Sequence, residues 1–97
     1  MGKFVYIYTG GSMPESEEEG KKVMAAWEAF LGGMGDHVVD PGNAFGASSA
    51  VKGSATSGAS GYSVVSAGSL EEATTHAKGC PIIAAGGNVE VYETIDM

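Results

Sequence analysis

Three stretches of the chain have the apolar pattern of strands. Residues 3–9 are rich in aromatic and β-branched side chains, residues 62–67 lie between two glycines, and residues 88–95 alternate apolar with polar positions. Successive side chains of a strand point to opposite faces of its sheet, so a period of two is the signature of a strand. The pattern therefore predicts three strands over these ranges.

Both faces of the first predicted strand are apolar. Phe4, Tyr6 and Tyr8 point to one side, and Val5 and Ile7 point to the other. A strand of this kind needs cover on both sides of its sheet. We expect the helices to cover the Val5 side, which leaves the aromatic side as an open apolar patch.

A first helix is predicted between the first and second strands. Its apolar stripe repeats at helical spacing and consists of Val23, Trp27, Phe30, Leu31 and Met34. Ser12 and Glu15 fit a capping box, so the helix is expected to begin there.

A second helix is predicted directly after the strand at 62–67. Ser69 and Glu72 form a second capping box, Gly79 suits the residue after the last turn, and Pro81 prevents continuation. Residues 81–87 are expected to be a connector that leads to the last strand.

The segment between the first helix and the strand at 62–67 has a weak pattern. Residues 44–61 consist of Gly, Ala, Ser and Thr with few larger side chains, and such residues specify strand register poorly. We predict a short strand over 45–52 and a mobile loop over 53–60.

The predicted order is strand, helix, strand, strand, helix, strand. This is the split βαβ, or ferredoxin-like, order, an α+β fold with an antiparallel sheet and both helices on one face. The 97 residues are expected to form a single domain over 1–97. Because one chain leaves a sheet face uncovered, we expect a homodimer.

Composition excludes several classes of partner. The formal charge is −7 with only five Lys and Arg, which argues against nucleic acid and against acidic membrane surfaces. A single cysteine allows no intrachain disulfide. No secretion signal is visible, and no apolar run approaches the roughly 20 residues of a membrane helix, so we expect a cytoplasmic protein.

Candidate chemistry concentrates in residues 35–45. His37 lies three residues before Asp40, so the carboxylate could orient the imidazole for acid-base work, and both are candidate catalytic residues. Asp40 before Pro41 equally suits a turn in which aspartate bonds its own backbone. Asp36, His37 and Asp40 lack a fourth metal ligand, so neither a metal nor another cofactor is expected.

Three segments of the chain carry a resemblance to a known family. They are Met34 to Gly42, Leu70 to Pro81 with its Lys-Gly-Cys-Pro string, and Gly87 to Tyr92 with Val-Glu-Val-Tyr. Together they resemble the YCII-related (DGPF-domain) family. The resemblance implies a dimeric α+β barrel in which two ferredoxin-like sheets pack around a small pocket, and a suspected histidine–aspartate acid-base pair.

The chain departs from the family pattern in two places. The first predicted helix contains no histidine, and the Asp-Gly-Pro-Phe string is absent from residues 54–60. Asp40 lies where the family aspartate is expected.

These observations favour a protein that binds a small molecule in a pocket of the dimeric barrel, with or without acid-base catalysis. Tyr6 and Tyr8 are the candidate ligand-binding residues, and they are expected to converge with His37 and Asp40. The alternatives are a non-catalytic interaction or regulatory module that acts as a homodimer, and a purely structural dimer.

Overall fold

A computed structural model describes residues 2–11 and 15–95 as a small α+β domain. The strands are β1 (Gly2–Thr9), β2 (Val38–Asp40), β3 (Ala59–Ala67) and β4 (Asn88–Glu93). The helices are α1 (Glu17–Met34), α2 (Leu70–Ala77) and α3 (Pro81–Ala84), and a single 3₁₀ turn covers Gly35–His37.

The four strands form one antiparallel sheet in the order β2-β3-β1-β4. β1 is a central strand, and its Tyr6 lies between Ser63 of β3 and Val91 of β4. The α+β class and the antiparallel sheet are as predicted from the sequence.

The aromatic face of β1 packs under the helices, so the expectation that it lies open is wrong. Phe4, Tyr6 and Tyr8 are 2 %, 0 % and 5 % exposed. The Tyr6 hydroxyl donates a hydrogen bond to the Ala73 carbonyl of α2, and the Tyr8 ring lies 4.9 Å from that of Trp27 of α1. Both apolar faces were visible in the sequence, and the larger side chains bury more area under the helices.

None of the helices in the described residues covers the opposite face of the sheet. Its apolar residues, which we call the open face, are Val5, Ile7, Tyr62, Val64 and Tyr92. Tyr92 is half exposed, and the other four are partly exposed. At one edge, Phe45 stacks on Tyr62 with ring centroids 5.8 Å apart.

The limits of α2 confirm the prediction from the capping box. The Ser69 hydroxyl accepts a hydrogen bond from the Glu72 amide, and the Glu72 carboxylate accepts one from the Gly68 amide. α2 buries Ala73 and Ala77 against the sheet and ends at Ala77, with Lys78 as its C-cap just before Gly79.

α1 begins later than the sequence suggested. Ser16 caps it by accepting a hydrogen bond from the Glu19 amide, and the first helical residue is Glu17. The predicted cap Ser12 lies outside the described residues. The predicted stripe is only partly used: Met34 is buried, Trp27 and Phe30 pack against the core, and Val23 is 40 % exposed.

The second strand also differs from the prediction. β2 is the three-residue segment Val38–Asp40, whereas residues 45–52 form neither helix nor strand. Small side chains give residues 45–52 little apolar area to bury, while Val38 packs against the core opposite Val65. The connector after α2 contains the short helix α3, which begins with proline at its first position.

Within residues 2–11 and 15–95, no helix combines the length and the apolar composition that crossing a membrane requires.

Candidate functional site

A cavity of about 300 Å³ lies between the sheet, α1 and the loop that follows β2. We call it the Tyr8 pocket; its lining includes Tyr8, Trp27, Ser63, Ile82 and residues 41–44. β1 and β3 supply Tyr8 and Ser63 from positions on the helix-covered face, and the loop closes the side. The volume is at the lower end of the range for small-molecule sites.

The polar groups of the Tyr8 pocket form a chain of hydrogen bonds. The Tyr8 hydroxyl donates to Ser63 Oγ at 2.8 Å, and Ser63 Oγ donates to the Pro41 carbonyl at 2.6 Å. Ser63 is 1 % exposed, so its partners satisfy a hydroxyl that would otherwise be costly to bury. The chain also ties the loop to the sheet.

Burial holds both candidate tyrosines in their neutral form. It raises the pKa of Tyr8 to about 12, and the hydrogen bond with Ser63 offsets part of that shift. Burial likewise raises the pKa of Tyr6 to about 12, with a further contribution from Tyr8 and Cys80. At neutral pH both side chains are hydrogen-bond donors, and neither is a ready base.

Asp40 forms the turn that one of the two sequence interpretations described. Its Oδ1 accepts a hydrogen bond from the Gly42 amide at 2.8 Å, two residues on. Gly42 has a φ of 76°, and a Cβ there would overlap the carbonyl oxygen of Tyr62. Only glycine fits this close approach of the loop to β3.

His37 lies in the 3₁₀ turn before β2. Its Nδ1 is 3.0 Å from the carbonyl oxygen of Ser66, and because a carbonyl only accepts, Nδ1 carries the proton. In the neutral imidazole, Nε2 then holds the lone pair.

The structure brings His37 next to the end of α2. The rings of His37 and His76 have centroids 5.2 Å apart, and one ligand atom each from His37, Glu72 and His76 lie within 4.8 Å of one another. Glu72 and His76 are one helical turn apart, with Oε1 and Nε2 separated by 3.5 Å. We call these three residues the histidine cluster.

The four residues singled out in the sequence do not converge on one point. Tyr8 meets the loop after β2, Tyr6 bonds α2, and His37 joins the histidine cluster. In the described part of the chain, no hydrogen bond joins His37 to Asp40 or either of them to a tyrosine.

The sequence interpretation gave Ser63 and His76 no place in a site, and it assigned Glu72 only to the capping box of α2. The spacing of Glu72 and His76 on a predicted helix already places them on one face. Nothing in the spacing of Ser63 or His37 indicates their partners, because those contacts depend on how the strands pair.

A larger and more open groove of about 1150 Å³ runs between α1 and α3. Its lining includes Trp27, Phe30, Cys80 and Ile82. Cys80 is 3 % exposed, and burial raises the pKa of its thiol to about 11, so it is a buried apolar residue and a poor nucleophile.

Comparison with known proteins finds no family model, no curated protein and no solved structure that matches this chain.

Proposed function

We propose that the chain is a small-molecule-binding protein whose ligand occupies the Tyr8 pocket. The observation that carries the proposal is the pocket itself, which combines aromatic walls with hydroxyl groups held in place by hydrogen bonds. Few fixed polar groups in an apolar cavity are typical of a ligand site.

The chemistry of the pocket favours an uncharged, partly aromatic ligand. Tyr8 and Trp27 already meet edge to face, and a third ring could extend that arrangement. Tyr8 and Ser63 offer neutral hydroxyls, and the pocket lining contains no Lys, Arg, Asp or Glu. A charged ligand would lose its hydration without gaining a counter-charge.

We further propose that two copies pair through the open face, as in the ferredoxin-like dimeric barrel of the YCII-related family. Val5, Ile7 and Val64 form an apolar centre with no helix above it. Lys3 lies at one end of that face and Glu90, opposite Ile7, lies toward the other. A two-fold axis perpendicular to the strands would bring Lys3 of each copy near Glu90 of the other.

Acid-base chemistry is a narrower part of the proposal and rests on Asp40 alone, because His37 joins the histidine cluster. Asp40 Oδ1 is used by the turn and Asp40 lies outside the lining of the Tyr8 pocket, so its Oδ2 could act only on a ligand that extends from the pocket to the loop. The unpaired and buried Cys80 supports a reducing compartment such as the cytoplasm.

Binding can be followed through Trp27, the only tryptophan of the chain. Phenol and indole serve as uncharged probes and benzoate as a charged one, with fluorescence and amide NMR shifts as readouts. We expect phenol and indole to shift Ser63 and Asn43 while benzoate does not. Ala44→Leu, which fills the pocket, should abolish the shifts, and Ala47→Leu in the exposed loop should not. Equal shifts in both variants would contradict the proposal.

Asp40→Asn tests the acid-base part separately. Asparagine keeps the oxygen that accepts the Gly42 amide, so the turn survives while the charge is lost. We expect unchanged probe binding and loss of any turnover found by screening. Turnover that survives in Asp40→Asn would remove Asp40 from the chemistry.

The dimer is tested by sedimentation at micromolar concentration. We expect the wild type and Val51→Glu to have the mass of a dimer, and Ile7→Glu, which places charge in the open face, to be monomeric. A monomeric wild type would exclude the barrel.

A further inference from the structure

We propose that His37, Glu72 and His76 form a binding site for a divalent transition-metal ion, with Zn²⁺ as the best match. The site shares no residue with the lining of the Tyr8 pocket and does not depend on the function proposed for it.

The distances are close to those of a tetrahedral site. Two donors at about 2.0 to 2.1 Å from a tetrahedral zinc lie roughly 3.3 Å apart. Glu72 Oε1 and His76 Nε2 are 3.5 Å apart, and the donor atom of His37 is within 4.8 Å of both. His37 is partly exposed, so its ring is not enclosed on all sides.

Two of the three ligands are already oriented by a second hydrogen bond. His37 Nδ1 donates to the Ser66 carbonyl, which leaves the lone pair on Nε2 free for a metal. Glu72 Oε2 accepts from the Gly68 amide, which leaves Oε1 on the side of His76. A supporting bond to the far atom of a ligand is the usual second shell of a metal site.

His76 provides an independent observation. Its Nε2 is shielded from solvent and has no hydrogen-bond partner in the described residues, although it faces Glu72 Oε1. A buried polar atom without a partner carries a cost that a metal would remove. An ordinary ion pair between Glu72 and His76 would account for those two residues, but it does not account for a donor atom of His37 within 4.8 Å of both.

The donor set selects the kind of metal. Two imidazoles and one carboxylate suit Zn²⁺ and other late first-row ions, whereas Mg²⁺ and Ca²⁺ prefer oxygen ligands throughout. Three protein ligands leave at least one coordination position for water, as in sites that act on substrates. All three residues are partly exposed, so an ion can enter from solvent.

The test uses the full chain without a histidine tag, freed of metal with a chelator and titrated with Zn²⁺ by calorimetry. We expect one ion per chain, and with Co²⁺ the intense visible absorption of a tetrahedral site. His37→Ala, His76→Ala and Glu72→Gln should each weaken binding by at least about 100-fold, the upper end of what loss of a supporting contact costs. Glu72→Gln keeps an oxygen for the Gly68 amide, so α2 stays capped.

Two controls separate this site from adventitious binding. Glu71→Gln changes the neighbouring carboxylate of α2, and Glu18→Gln changes the acidic first turn of α1; both should bind Zn²⁺ like the wild type. Circular dichroism checks that every variant is folded. The proposal is overturned if the wild type binds no stoichiometric Zn²⁺ at 100-micromolar concentrations, or if binding persists in a folded His37→Ala/His76→Ala double variant.

Discussion

The centre of the sheet and the loop from 41 to 58 are built from different kinds of residue. In the sheet, Tyr6 and Val65 are 0 % exposed and the buried hydroxyls have hydrogen-bond partners. In the loop, Val51 is fully exposed and most side chains are small. The start of the loop is held to β3 through hydrogen bonds at Asn43 and Phe45, and its end bonds β3 through the side chain of Ser57.

The contrast shows that local pattern specifies structure only where side chains have area to bury. Large apolar side chains at alternate positions of β1 pack against the helices. Serine, alanine and glycine gain too little from burial to offset the entropy of ordering the backbone. Matched substitutions in the two regions test this difference.

Gly42→Ala and Gly53→Ala form the first matched pair. Both glycines have a φ of 76°. A Cβ added at Gly42 would overlap the backbone of Tyr62, whereas a Cβ added at Gly53 would have no atom within 4 Å. Gly53→Ala should cost about 1 to 2 kcal/mol of stability from backbone strain alone. Gly42→Ala should cost about 3 to 4 kcal/mol, because the loop must also give up backbone hydrogen bonds worth about 1 kcal/mol each. Urea denaturation measures both, and equal losses would mean that the loop does not depend on its contact with β3.

Val65→Ala and Val51→Ala make the same chemical change in the core and in the loop. Val65 is fully buried and Val51 is fully exposed. We expect a loss of about 2 to 3 kcal/mol in the free energy of unfolding for Val65→Ala and a change near zero for Val51→Ala. A measurable loss at Val51 would show that this part of the loop packs against another surface.

The buried tyrosines make the sheet sensitive to high pH. Their pKa values are raised from the usual value near 10 to about 12, so the folded state holds protons that the unfolded state releases. The two tyrosines should contribute their full stabilisation below pH 10 and lose it as the pH rises from 10 to 12. The buried Cys80 thiol, whose pKa is raised from 9.0 to about 11, should begin to lower stability in the same way from about pH 9. Absorbance of the tyrosinate, together with urea midpoints at each pH, checks both statements.

Tyr92 is the internal control for that titration. The pKa of Tyr92 is raised chiefly by the charge of Glu90, and the ring is half exposed. Added salt should lower the pKa of Tyr92 by screening and leave Tyr6 and Tyr8 unchanged. If salt moved all the tyrosines together, burial would not be the cause at Tyr6 and Tyr8.

Ser69→Ala and Ser16→Ala compare the caps of a packed and an exposed helix. Each serine accepts a hydrogen bond from the amide three residues later. Ser69→Ala should cost about 1 kcal/mol, because α2 must stay formed to bury Ala73 and Ala77. Ser16→Ala should only fray the exposed first turn of α1, which hydrogen exchange would detect without a shift in the denaturation midpoint.

The sequence by itself determined where the long elements lie. Runs of β-branched and aromatic residues next to glycines located β1 and β3, alternation located β4, and the Ser69 capping box located the start of α2. These signals depend on residues that are close in the chain. The sequence did not predict β2, because three residues are too few to show a period. It did not predict α3 either, because this single turn begins at Pro81, which was interpreted as the end of α2.

Only the tertiary structure decided which face of β1 is buried, since both faces are apolar and a period of two is the same for either. The same holds for the candidate sites. Tyr8 meets Ser63 across 55 positions, and His37 meets His76 across 39, through strand pairing and helix packing that no local spacing encodes. Such contacts are fixed by the burial of the whole sheet under its helices, so a sequence pattern can name the residues without showing their partners.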